Sequence, residues 1–234
     1  MDGHKDGRGD GRMHGVPLVE RVIEKVGREG FGGFCGAPRL DAPVPLPAAA
    51  VKGLRMPGGK PLPPSLRRWL EFDASWLAGL GWFTDSATPA LEGNTLSATA
   101  HEMYGFDRSE YMWTEMFADF EVLLPGSCFP LVGGCDSRRL VYAGEPDSFG
   151  EYPVLVTDID DLPYVAVMYP GLDVYLADEA GVIDLDFGTY TELADHPVYG
   201  ARMREHATRT GLGPEGKEIY DLFVEGDAAG AVMP

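Results

Sequence analysis

The stretch "VTDIDDLPY" sets three carboxylates, Asp158, Asp160 and Asp161, within four residues. Carboxylates are ligands for hard cations, so the first question is a metal site. An EF-hand loop opening at Asp158 would need Gly and Glu at its sixth and twelfth positions; those residues are Pro163 and Tyr169. Apolar runs flank the knot, and aspartate favours turns because its side chain bonds its own backbone. Three readings stay open: a hairpin turn on a solvated surface, a contact with a partner, and a metal site.

The other reactive residue types form no recognisable set. His4 and His14 lie in a polar start, and "HEMYG" at His101 has Gly105 where a zinc helix needs its second histidine. His196 and His206 flank a possible helix and read as surface or helix-end histidines. Cys35, Cys128 and Cys135 are an odd number with no C-x-x-C, which points to thiols near the core rather than disulfides. Val141 stands where a C-x5-R phosphatase loop from Cys135 needs Arg. The Gly-rich "GFGGFCG" at Gly30–Gly36 lacks the spacing that cradles phosphate, and no G-x-S-x-G is present. Arg138 and Arg139 are expected to pair with neighbouring acids. With no nucleophile, base and orienting group in one place, no enzyme and no cofactor are expected.

Charge is the more informative signal. The net charge is -18 over 234 residues, and the 62 residues from Leu140 to Ala201 hold 13 Asp or Glu and no Lys or Arg. Such a lobe repels nucleic-acid phosphates and attracts basic proteins, although solubility alone would also account for it. Candidate partner contacts within it are Glu145, Asp147, Asp158, Asp160, Asp161 and Asp178. A hydrophobic content of 44% supports a real core, no apolar run reaches membrane-helix length, and the start has no signal-peptide core. A cytoplasmic location and no membrane partner are expected.

Residues 1–15 are expected to be a disordered tail, and 16–60 a helix followed by a Gly/Pro-rich arm. The helix is read from Val19, Val22, Ile23 and Val26, and a strand is expected at Val44–Leu46. In "LPPSLRRWLEFDASWLAGLGWF", Leu66, Trp69, Leu70, Trp76, Leu77 and Leu80 define one helical face, with Pro64 at its start and Arg67 and Arg68 pointing to solvent. Residues 95–121 show broken helical periodicity, with Met112, Met116 and Phe120 on one face. Four strands follow in "CFPLVGG", "RRLVYAGEP", "YPVLVTDI" and "YVAVMYP". "GLDVYLADEAGVI" is a short helix with Leu172, Tyr175 and Leu176 on one side, and further helices are expected around Tyr190–Thr210 and Gly216–Val224. The order gives α+β: a central, mainly antiparallel sheet with helices packed against it and helical extensions at both ends.

"LPPSLRRWLEF" resembles the opening helix of the SUKH superfamily, the Smi/Knr-type cell-wall assembly regulators and bacterial toxin-immunity proteins. "YPVLVTDIDDLPYVAVMYPGLDVYLADEAGVI" resembles their end, a Pro-led strand, hairpin, strand and helix, with Leu172, Asp173, Tyr175 and Leu176 as its signature. The likeness spans roughly Pro61 to Ile183, within a domain drawn as 61–187 and followed by a helical extension at 188–234. The first helix departs from the family in leading to "DASWLAGLGWF". The resemblance implies a non-enzymatic immunity protein of a polymorphic toxin system, which blocks a basic partner such as a nuclease toxin domain through protein–protein contacts on an acidic surface. A regulatory or scaffold module without neutralisation is the alternative. A metal-dependent enzyme using Asp158, Asp160 and Asp161 ranks behind both.

Overall fold

In the computed structural model, residues 13–29, 42–80, 82, 128–132, 137–158 and 164–218 are described. They form an α+β fold around a five-stranded antiparallel sheet. The expected helices over 95–121, together with Cys35, His101, Cys135, Asp160, Asp161 and residues 219–234, lie outside the described residues.

The strands are β1 (Cys128–Leu131), β2 (Ser137–Tyr142), β3 (Val154–Asp158), β4 (Tyr164–Tyr169) and β5 (Lys217–Glu218), and they neighbour one another in that order. Runs of Val, Leu and Tyr suit pairing on a pleated surface, and short connections make neighbours antiparallel. Cys128 pairs Tyr142, Val141 pairs Val154, and Asp158 pairs Tyr164. The acidic knot therefore joins the ends of two antiparallel neighbours. A bulge lies between Val154 and Leu155. Gly216 precedes β5, whose Lys217 pairs Val165. Lys217–Glu218 is thus strand, where a helix over Gly216–Val224 was expected.

Helix α1 (Gly15–Glu29) buries Leu18, Val19, Val22 and Val26, the face its spacing predicts. It starts inside the stretch expected to be tail. The short helix α2 (Ala48–Gly53) precedes α3 (Pro64–Leu70), which opens on Pro64 as expected. The single helix read from Leu66 to Leu80 is two: α3 stops and α4 (Ser75–Gly79) begins after a break. Buried Asp73 causes it. Its carboxylate accepts from Ser75 Oγ (2.6 Å), Trp76 N (3.0 Å) and Val44 N (2.9 Å), which satisfies amides at a helix start. Both apolar faces still reach the core, because Trp69 and Trp76 meet edge to face with centroids 5.8 Å apart. Val44–Leu46 is no strand; it runs beside the break through Leu46 N to Leu70 O (2.9 Å) and Ala74 N to Val44 O (2.8 Å).

Helix α5 (Leu172–Glu179) is buried all round from Leu172 to Ala177, not on one side alone. It packs on β4 and α1, and α1 also packs on α3. Helix α6 (Gly200–Thr210) packs on β4 and ends at Gly211, whose φ of 73° is a left-handed stop. One apolar core runs from Leu18 to Leu212 through the sheet. The stretches expected to flank the domain thus contribute to its centre.

Candidate functional site

One group of described titratable side chains comes together inside the fold, where α1, α3, α5, α6 and the loop between β2 and β3 meet. In that loop, Asp147 Oδ1 accepts from Phe149 N (2.8 Å) and Glu151 N (3.0 Å), and Gly150 at φ 79° closes the turn. Lys60 Nζ donates to Ala143 O (2.7 Å) and Gly144 O (2.9 Å), tying the Leu-Pro segment before α3 to the same loop.

Arg202 on α6 is the hub. It is 3% exposed, and each of its five N–H donors has an acceptor. Nε reaches Asp147 Oδ2 at 2.5 Å. Nη1 reaches Asp173 Oδ2 at 2.8 Å and His14 Nδ1 at 3.3 Å. Nη2 reaches Asp173 Oδ1 at 3.2 Å and Pro170 O at 3.1 Å. Asp173 Oδ2 also accepts the Gly15 amide at 2.6 Å, which fixes the start of α1. His206 lies one turn beyond Arg202 and is fully buried; its Nε2 donates to Pro170 O at 3.0 Å and sits 3.5 Å from Asp147 Oδ2. Phe149 is half exposed and covers Arg202, whose guanidinium carbon is 4.9 Å from the ring centroid.

Glu151 completes the cluster without touching Arg202. Oε1 accepts from Ser65 N (2.8 Å), and Oε2 pairs with Ser65 Oγ, so the carboxyl grips the first turn of α3. Burial pushes its pKa up, and the Asp173 charge adds to that, taking it to about 8. Asp147 is held down at about 2: burial opposes its charge, but His206 and Arg202 outweigh it. Burial, and Arg202 after it, lowers His14, in keeping with Nδ1 as an acceptor. A serine beside a carboxyl of raised pKa has the parts of a nucleophile–base pair. Both are fully buried, however, with their hydrogen bonds turned inward, so the pair joins elements.

Several expectations for individual residues change. Asp147 is no surface contact: it is 6% exposed and bonded to Arg202, because a buried guanidinium needs its charge. Asp178 is half-buried, with one oxygen taking Tyr169 Oη (2.9 Å) and the other Leu185 N (3.1 Å). Glu145 is exposed, as are Asp184, Asp186, Glu192 and Asp195. Of the knot, Asp158 is placed as the last residue of β3. Among the described residues, no three His, Cys, Asp or Glu are set to hold a metal ion. Arg139 is buried, donates to Ser137 Oγ (2.6 Å) and lies over the Tyr190 ring. Arg68 meets Glu20 at 2.5 Å. His14 and His206, taken for tail and surface residues, both belong to the cluster. The signal that could have found it is on α6: Tyr199, Arg202, Met203, His206 and Ala207 follow core spacing, with Arg and His at two apolar positions.

No protein-family model matches the chain, and no curated protein matches it. It is similar to the crystal structure of an uncharacterized protein from Salmonella enterica subsp. enterica serovar typhimurium str. 14028s, with a TM-score of 0.55 and 17% identity over 89% of this chain and 98% of that one. At that identity the likeness concerns the fold alone. No helix among the described residues is long and apolar enough to cross a membrane.

Proposed function

We propose that this chain is a non-enzymatic cytoplasmic binding protein of the SUKH immunity type, which neutralises a basic, nuclease-type toxin through an acidic surface. The observation that carries the reading is how the acids of the base-free segment divide. Asp147, Glu151 and Asp173 are buried, while Glu145, Asp184, Asp186, Glu192 and Asp195 are exposed. No Lys or Arg between Leu140 and Ala201 offsets that exposed set. A nuclease carries positive charge where it grips phosphate, and complementary charge speeds capture and selects the partner. The Ser65–Glu151 pair supports the non-enzymatic side, because its hydroxyl and carboxyl are bonded to each other and fully buried.

The test is association kinetics with the cognate basic toxin, compared with the variant D160K/D161K/D184K/D186K. Association should slow roughly tenfold or more at low salt and lose much of its salt dependence. Unchanged association, or failure of the wild-type protein to rescue toxin-expressing cells, would reject the neutralising role. Failed rescue with intact binding to a different basic protein would favour the scaffold alternative.

A further inference from the structure

We propose that His14 is an acid-released clasp: its unprotonated imidazole ties the chain entering α1 to Arg202, and a proton on the ring lets that chain go. One contact leads there. Arg202 Nη1 lies 3.3 Å from His14 Nδ1. A guanidinium keeps its charge and only donates, so Nδ1 joins this bond as an acceptor, with the ring proton on Nε2. A proton on Nδ1 would set two N–H groups against each other and two positive charges at hydrogen-bond distance. Aromatic neighbours hold the half-buried ring in that orientation: the Phe149 centroid is 4.8 Å away, and Tyr199 meets it edge-on at 5.5 Å. Gly15 follows directly, and its amide donates to Asp173 Oδ2 at 2.6 Å where α1 begins. The clasp and the start of the helix are therefore one attachment.

Each element around the ring adds to the account. Asp173 on α5 and Asp147 on the β2–β3 loop favour a proton on it, but their oxygens are engaged elsewhere. Asp173 bonds Arg202 and the Gly15 amide, and Asp147 bonds Arg202, Phe149 N and Glu151 N. On α1, Arg21 donates to Met13 Sδ at 3.4 Å. Glu151 is turned to Ser65, His206 to Pro170 O, and His196 to the amides of Val198 and Tyr199. Burial, with Arg202 after it, outweighs the two carboxylates and lowers the His14 pKa from 6.5, in agreement with the contact. The folded chain gives up the ring proton, so the clasp is closed above 6.5 and is lost as pH falls through the lower folded value. Asp147 keeps its charge down to about 2, so the clasp opens while Arg202 still holds its carboxylates.

The experiment is NMR on the full chain, wild type and His14→Asn, from about pH 4 to about pH 8: titration of the imidazole resonances, and exchange of the Gly15 amide corrected for its intrinsic pH dependence. Asparagine sets Oδ1 in the place of Nδ1, accepts from Arg202 and never takes a proton. The His14 resonance, the one missing from H14N, should titrate below 6.5. Gly15 protection should fall through the same midpoint by up to about tenfold per pH unit in the wild type and stay level in H14N. A His14 midpoint at or above 6.5, or a Gly15 profile that the two proteins share, would overturn the clasp. If H14N does not fold, the wild type decides alone: a Gly15 transition that coincides with a His14 midpoint below 6.5 supports the clasp, and any other result overturns it.

Discussion

The buried joint and the exposed acidic rim draw on the same 62 residues, yet carboxylates do opposite work in them. At the joint, Asp147 and Asp173 are held by Arg202, which comes from just beyond the base-free segment. On the rim, Asp184, Asp186, Glu192 and Asp195 face water, where a charge costs little and steers at range. Residue type does not separate the two sets. What separates them is whether the fold brings a cation to the carboxylate or leaves it to solvent.

The largest effect that would break this contrast is removal of the hub. Arg202→Met leaves Asp147 and Asp173 buried without their counter-charge and should cost about 3–5 kcal/mol in urea unfolding. A loss below about 1 kcal/mol would mean that solvent reaches the joint and that it resembles the rim. Acid pH gives the next effect. The folded pKa of Asp147 is depressed to about 2 from 3.8, so its stabilisation is present above 3.8 and is lost as pH falls through about 2. That difference corresponds to about 2 kcal/mol, and the acid limb of the stability profile should shrink in Asp147→Asn. The smallest effect belongs to the rim. Asp184→Lys with Asp186→Lys should shift stability by no more than about 0.5 kcal/mol each, read by thermal melting. A large change there would mean that the rim acids also hold the fold.

The four strands β1 to β4 were legible because Val-, Leu- and Tyr-rich runs end at Gly, Pro or Asp, and α1 because its valines keep a helical period. Local patterns carried the fold class and failed where one side chain overrode them. Asp73 splits a helix whose apolar face continues unbroken through the break, so periodicity alone could not show it. The joint was hidden for a different reason. Gly15 and Asp173 are 158 positions apart, and Arg202 and His14 are 188 apart. Nothing periodic links such partners, and a buried arginine looks in sequence like an exposed one except for its place on the core face of α6. Asp147 was counted with the rim because it lies in the segment without Lys or Arg; a single turn sends its carboxylate inward.

The placement of Arg202 also bears on the order of assembly. Loop closure over such separations is entropically slow, and no local contact substitutes for the guanidinium. A nascent chain synthesised only through β4 and α5 carries Asp147 and Asp173 with the guanidinium that bonds both still unmade. On a ribosome the joint is therefore completed late: α1 is made first, yet Asp173, which anchors Gly15 N, gains its counter-charge only when residue 202 has emerged.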